Sequence, residues 1–398
     1  MEIENLLLIM VIVWGTGVLF RKMNLPILLG ELLAGLIFGP ALFGVFQDNE
    51  TIHILAELGI FFLMLHAGLE TKPSDLLHSS KTSLAIAFGG VVFPLAFGTG
   101  ISVLFGYDMI PSIFIGMGLS ITAISVTTKV FKDFKFNQSS IAHLVMGAAI
   151  IDDIFAFLLL SVLLSIVDSG GAIEIMGLLL IIGKVMLFFG GVIFAGAKLI
   201  PVFKHVFKQT GHKAFTFTLI IALAFGFFAE FIGLHYILGA YLAGLFLKEE
   251  LLHPSIYKKI EDRLFGLSYS FLGPIFFVSL GFHVDFTVFQ DPETILFLLA
   301  ILGAAIVGKV FGAGIMARLF GKNNRDSLII GVSMNGRGAV ELILAVIGLE
   351  LGLIDERVFS VLVLMAFITT LMTPISLKWL LKASGKKEVL DTEYEGVA

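Results

Sequence analysis

Long apolar runs alternate with short polar joints from one end of this chain to the other. A helix needs about 20 apolar residues to cross the hydrocarbon core of a bilayer, and the runs have that length. They predict membrane helices near 5–20, 25–46, 52–69, 82–106, 111–130, 140–167, 172–198, 214–231, 233–247, 264–288, 294–318, 326–352 and 356–381, thirteen spans with no soluble domain between them. Composition agrees. Of the 398 residues, 58% are hydrophobic and 14% charged, against about 45–50% and 25% in an ordinary soluble domain.

Positive charge tests the count, because Lys and Arg collect in the cytoplasmic joints of a membrane protein. All 26 except Lys184, Lys309, Arg337 and Arg357 lie in or beside alternate joints, from Arg21 and Lys22 to Lys386 and Lys387 in the tail. A missed span would scramble that alternation. The N-terminus is therefore expected outside and the C-terminus in the cytoplasm, as in a multi-pass protein of the cell (inner) membrane. The opening MEIENLLLIM is acidic before its apolar run and lacks a small-residue cleavage site, so it is expected to remain as the first span. Absence of cysteine excludes disulfides and thiolate chemistry. Basic residues scattered through loops speak against nucleic acid, and no cofactor is expected.

The chain also resembles itself. LGELLAGLIF at 29–38 matches LGAYLAGLFL at 238–247 at six of ten positions, and FFLMLHAGLE at 61–70 parallels FFVSLGFHVD at 276–285. The copies lie seven spans apart, and an odd separation inverts the second copy in the membrane. Inverted repeats with a midplane substrate site are the architecture of many secondary transporters. The fold class is thus all-α and polytopic: two inverted-topology six-helix repeats joined by a linker helix. The segments are 1–81 (spans 1–3), 82–168 (spans 4–6), 169–212 (span 7, the linker), 213–290 (spans 8–10), 291–384 (spans 11–13) and a polar tail, 385–398.

Candidate chemistry lies where charge interrupts these spans. Asp152 and Asp153 stand side by side at the middle of the sixth, in AIIDDIFAF. Intramembrane acids mark ion or proton paths, and neighbours on a helix point about 100° apart, so the two cannot share one role. Lys309 sits mid-span in the eleventh and calls for a carboxylate partner, Asp152 or Asp153. Gly303 to Lys309 mimics the start of a phosphate-binding loop, but Val310 stands where Ser or Thr would ligate magnesium. Two stretches at matched places, 118–130 with Ser120, Thr122, Ser125, Thr127 and Thr128, and 333–342 with Asn335, Arg337 and Glu341, carry the polar, glycine-bearing signature of discontinuous helices. Arg337 and Glu341, four apart, form a structural ion pair or a gating pair. His66, Glu70, His143, Lys184, Glu230, His235 and His283 lie at span ends or alone, where packing or interfacial roles are expected, and their scatter shows no metal-ligand spacing.

Taken together, LPILLGELLAGLIFGP, FFLMLHAGLET, AIIDDIFAF, GPIFFVSLGFHVD, the lysine-bearing eleventh span and MNGRGAVELILA resemble the cation:proton antiporter-2 family of the monovalent cation:proton antiporter superfamily, over essentially the whole chain. The resemblance implies that Asp153 carries the ion and the proton, and that Asp152 pairs with Lys309. It implies a homodimer in which a core of spans 4–6 and 11–13 slides against a dimerising scaffold of spans 1–3 and 8–10. Members with this Asp-Asp pair and lysine are typically electrogenic sodium/proton exchangers. Glutathione-gated potassium efflux relatives show Gln-Asp and add a cytoplasmic nucleotide-binding domain, a pattern from which this chain departs.

The expected activity is exchange of a monovalent metal cation, Na+ or Li+, for protons, with transported Na+ held at Asp153 and with Asp152, Thr122 and Ser125 beside it. A K+/H+ antiporter of the same family is the alternative, and a Na+-coupled organic-anion symporter is a remoter one. A channel fits poorly, since filters are rings contributed by several subunits. No Ser-His pairing or metal motif suggests an enzyme.

Overall fold

The computed structural model describes residues 2–23, 25–70, 81–168, 183–184, 187–188, 191, 212–232, 234–247 and 254–385. Most of the expected seventh span, 172–198, lies outside the described residues, as do the joints at 71–80 and 248–253 and the tail from 386. The described residues are helical nearly throughout: α1 (Glu2–Lys22), α2 (Ile27–Phe38), α3 (Glu50–Glu70), α4 (Lys81–Leu104), α5 (Met109–Ser120), α6 (Ile124–Asp133), α7 (Ser140–Asp168), α8 (His212–Phe231), α9 (Tyr236–Phe246), α10 (Pro254–Leu267), a π-helical turn (Ser268–Leu272), α11 (Gly273–Phe282), a 3-10 turn (Phe286–Gln290), α12 (Pro292–Leu319), α13 (Asn324–Ser333), α14 (Ala339–Glu350) and α15 (Glu356–Ala383). Among them, eight stretches are long and apolar enough to cross a membrane. Their outward faces are apolar too: Trp14, Phe227, Phe231 and Trp379 are each at least 70% exposed. Helices apolar all round belong in lipid. The chain is a multi-pass integral membrane protein.

Boundaries depart from the hydrophobic pattern at three places. The helix expected over 25–46 stops at Phe38, because Gly39-Pro40 follows and proline supplies no N–H to continue it. The tenth span, expected over 264–288, runs from Pro254 to Phe282. Residues 254–263 are too polar to read as membrane span, yet they continue into the apolar helix. Finally, the spans expected over 111–130 and 326–352, whose polar stretches suggest discontinuous helices, are each two helices, with 121–123 and 334–338 between them outside any helix.

Two compact units divide the chain. The first comprises Met1–Leu19, Gly30–Ser74 and Phe157–Phe282; the second, Phe20–Leu29, Asp75–Ala156 and His283–Ala398.

In the first unit the matched segments of the sequence meet crosswise. A side chain on Gly35 of α2 would strike the backbone of Val278 in α11, and one on Gly281 of α11 would strike the Gly35–Leu36 backbone. Likewise Gly68 of α3 faces the Tyr241 backbone of α9, and Gly244 of α9 faces the backbone of Leu65 and Leu69. Each glycine-bearing motif of one copy therefore packs on the other motif of the second copy. Such close backbone approach substitutes in lipid for the hydrophobic drive that packs helices in water. Around it lies a core of Ile9, Val13, Ala34, Phe46, Ile52, Ile275 and Val278.

In the second unit α4 packs along α5 and α12, and α13 packs against α12. Its core joins Phe131, Phe134, Val145, Ala148, Ala313, Ile330 and Leu377 from α6, α7, α12, α13 and α15.

A Gly244→Leu substitution drives a side chain into the α3 backbone, and overpacking of this kind costs about 1–3 kcal/mol. A lowered melting temperature in a detergent thermal-stability assay checks it. Gly303→Ala, whose added methyl meets nothing within 4 Å, is the control and leaves the melting temperature unchanged or raised.

Candidate functional site

All the charged groups singled out at mid-span lie in the second unit. Lys309, on α12, has no exposed surface. Its Nζ donates to Asp152 Oδ2 at 2.9 Å and to the carbonyl oxygen of Ser120. Of the two carboxylates that the sequence leaves open as its partner, the geometry selects Asp152, which is 1% exposed. In an interior of low dielectric such a pair holds both charges in place, whereas either one alone would be costly.

The second cation works on the same helix end. Arg337 follows α13 and is fully buried. Its Nη1 donates to the carbonyls of Ile121 at 2.5 Å and Gly118 at 3.4 Å. The last four carbonyls of a helix have no partner within it and form the negative end of its dipole. At the end of α5, Lys309 and Arg337 supply those partners with positive charge. Glu341, one turn on from Arg337, is 2% exposed and places Oε2 3.6 Å from the Arg337 Nε. That is a loose ion pair rather than a hydrogen bond.

The segments that follow α5 and α13 are hydrogen-bonded to each other. Ala123 N–H donates to the Gly336 carbonyl at 2.8 Å. Thr122 Oγ1 donates to Met334 O at 3.1 Å, and Thr127 Oγ1 donates to Ser333 O at 2.7 Å. Thus the threonines of the first break satisfy the free carbonyls at the end of α13, while the arginine of the second break satisfies those at the end of α5. Thr370, on α15, closes the arrangement by donating to the carbonyl of Arg337 at 3.0 Å. The sequence had no signal for Thr370, one of several hydroxyls along α15 that its pattern does not tell apart.

What is left over is a set of acceptors. Asp153, half-buried on α7, has a buried Oδ1 without a hydrogen-bond partner, and so do Asp152 Oδ1 and Asn335 Oδ1. Buried polar atoms are nearly always hydrogen-bonded, and orphans call for an explanation. Oxygen atoms without a proton donor suit a hard monovalent cation or a proton. The charges of both Asp152 and Lys309 bear on Asp153. Of the expected ligands, Thr122 donates to the Met334 carbonyl and its hydroxyl also interacts with Asp152, and the Ser125 side chain lies outside the described residues. No group of three or more His, Asp or Glu side chains among the described residues could hold a resident metal ion.

Comparison with known proteins follows from this geometry. A family model described as "Sodium/hydrogen exchanger, transmembrane" matches residues 6–383. The Na(+)/H(+)-K(+) antiporter GerN of Bacillus cereus is 31% identical over 97% of this chain and 98% of its own. A Na(+)/H(+) antiporter of Enterococcus hirae is 31% identical over 91% of this chain and 93% of its own. Among solved structures, the sodium proton antiporter MjNhaP1 of Methanocaldococcus jannaschii at pH 8 superposes with a TM-score of 0.72 at 17% identity, covering 96% of this chain and 97% of that one. At that identity the likeness establishes the fold.

Replacing Arg337 with Met strands Glu341 and the α5 carbonyls in a buried site. Breaking a buried pair from one side costs about 3–5 kcal/mol, so Arg337→Met lowers the thermal midpoint sharply. The double change Arg337→Met with Glu341→Met recovers most of that loss in the same assay. Equal damage from single and double variants would contradict the pairing.

Proposed function

The chain belongs to the sodium/hydrogen exchanger family, and we propose from that premise that it exchanges sodium or lithium ions for protons at Asp153. One observation carries the assignment: Asp152 is committed to Lys309, while the adjacent Asp153 keeps a buried, unpartnered oxygen. A half-buried carboxylate can hold a proton or a cation but not both. Each displaces the other, and this competition ties the two fluxes together.

The mechanism follows from the neighbours. Proton-loaded, Asp153 is neutral and the Lys309–Asp152 pair stands closed. As a sodium ion arrives, Asp153 gives up its proton to water. The incoming positive charge then competes with the ammonium for Asp152, so the pair loosens. A further proton leaves the lysine, which makes exchange electrogenic, two protons for each cation. The paired breaks at 121–123 and 334–338, with carbonyls and helix ends turned to one another, support reading them as two discontinuous membrane helices, the device by which transporters hold an ion at the midplane. The crosswise glycine contacts support the inverted repeat. On this reading the second unit moves as the transport core and the first is the scaffold through which two copies associate, in the cell membrane with the C-terminus cytoplasmic.

Potassium is the second reading, favoured by one observation: GerN, similar over nearly the full length, is named for both Na+ and K+. A sodium-coupled organic-anion symporter is a poorer fit, because the two mid-span cations each already face an acid.

In proteoliposomes with a lumenal pH dye, pulses of Na+ or Li+ drive proton movement, while K+ does so only on the second reading. Asp153→Asn abolishes the response with folding intact, and substantial remaining exchange rules out its carrier role. Lys309→Gln, which keeps a donor for Asp152 and Ser120, retains exchange and loses net charge movement on a solid-supported membrane. Unchanged electrogenicity would remove the lysine from the proton path.

A further inference from the structure

His66, on α3 in the first unit, is 1% exposed, and neither ring nitrogen has a hydrogen-bond partner. A neutral imidazole buried with both nitrogens idle is an expensive arrangement. Its ring lies 5.8 Å from that of Phe265 and 5.1 Å from that of Tyr269, centroid to centroid. Tyr269 belongs to the π-helical turn Ser268–Leu272, and π turns within helices are frequent at functional positions. One carboxylate is within reach. Glu70 Oε1 stands 3.8 Å from His66 Nδ1, too far for a hydrogen bond, and the Glu70 side chain is 57% exposed.

Charges on the surrounding helices complete the setting. On α10, Lys258, Lys259, Glu261, Asp262 and Arg263 are charged, with Arg263 lying over the Phe215 ring at 5.7 Å. The Tyr257 phenol on the same helix donates to the Leu69 carbonyl at 3.1 Å. Neither α9 nor α11 carries a charged residue; the titratable groups on them are Tyr236, beside His235, and Tyr241, stacked on Phe157. Glu31 of α2, 5% exposed, acts together with Glu70 on Tyr269. The carboxylate near the imidazole is that of Glu70, and two aromatic rings have their centroids within about 6 Å, the distance at which a ring can favour a cation.

We infer that His66 and Glu70 form a second proton-binding site, separate from the transport aspartates. The exposed carboxylate of Glu70 takes a proton from water and passes it to His66 Nδ1, leaving Glu70 anionic again and the imidazole cationic. The carboxylate then closes the 3.8 Å gap as a charge-assisted pair. Proton uptake so closes an i,i+4 pair within the last turn of α3, beside the Phe265 and Tyr269 rings. The site does not depend on the antiport reading; its effect on the pH profile of exchange does.

The test is nitrogen NMR of protein labelled at its nine histidines, reconstituted in nanodiscs. One imidazole, identified by its loss in His66→Gln, titrates between about pH 4 and 8. In Glu70→Gln the same signal titrates about one pH unit lower, since an opposing charge has been removed. Should His66→Gln fail to fold, wild type against Glu70→Gln decides alone, because residue 70 adjoins this histidine. Asp153→Asn leaves the titration where it was, so failure of the transport reading and failure of this site are distinguishable. A His66 signal fixed in one protonation state across that range, or one indifferent to Glu70→Gln, overturns the proposal.

Discussion

A lysine ammonium with no exposed surface is the constraint on which the second unit depends. Lys309 cannot stay charged in a low-dielectric interior without compensation, and the chain supplies it from two directions. Asp152 on α7 gives a full negative charge at 2.9 Å, and the end of α5 gives the carbonyl of Ser120. Three helices are thereby fixed to one point. The interruption of α5 at Ser120 then has a physical reason: an unbroken helix would use that carbonyl internally and leave the ammonium short of partners.

The same logic extends outward. Arg337 takes the carbonyls of Gly118 and Ile121 at the α5 end, and Thr122 and Thr127 take those of Met334 and Ser333 at the α13 end. Each break is thus stabilised by the other. With so many acceptors around it committed, the unpartnered Oδ1 of Asp153 is meaningful. Asp153 lies one residue from the anchored aspartate, and as a helix neighbour it points about 100° away. It is held near the lysine's field without being consumed by it. A site in which one acid is locked and the next is open suits a small ion that must bind and leave.

Much of this was legible in the sequence because charge in an apolar span is a strong signal. The Asp152–Asp153 pair, Lys309, and the polar stretches at 118–130 and 333–342 all stood out against their surroundings, and the structure places them in one unit. The crosswise packing of Gly35 with Gly281 and of Gly68 with Gly244 was foreshadowed by the matched motifs, although only coordinates reveal which copy meets which. Other features were legible only in part. The polar, glycine-bearing stretches point to the breaks, but hydrophobicity averages over windows longer than a three-residue break and does not fix where each helix ends. The polar start of the tenth span falls below a hydrophobicity threshold because polarity there belongs to the end of a continuous helix. Which aspartate meets Lys309 depends on helix rotation, which spacing between distant segments does not encode. His66 was set aside as a packed histidine, since its idle nitrogens can be recognised only with its neighbours in view.

Competition for Asp153 is the central claim, and sodium affinity measured against pH tests it most directly. Sodium binding to purified protein, followed calorimetrically across a pH series, should weaken about tenfold for each unit of acidification once the carboxylate is protonated, as reciprocal linkage of two ligands at one site requires. An affinity for sodium that does not change with pH would mean that ion and proton occupy different groups, and would contradict the account.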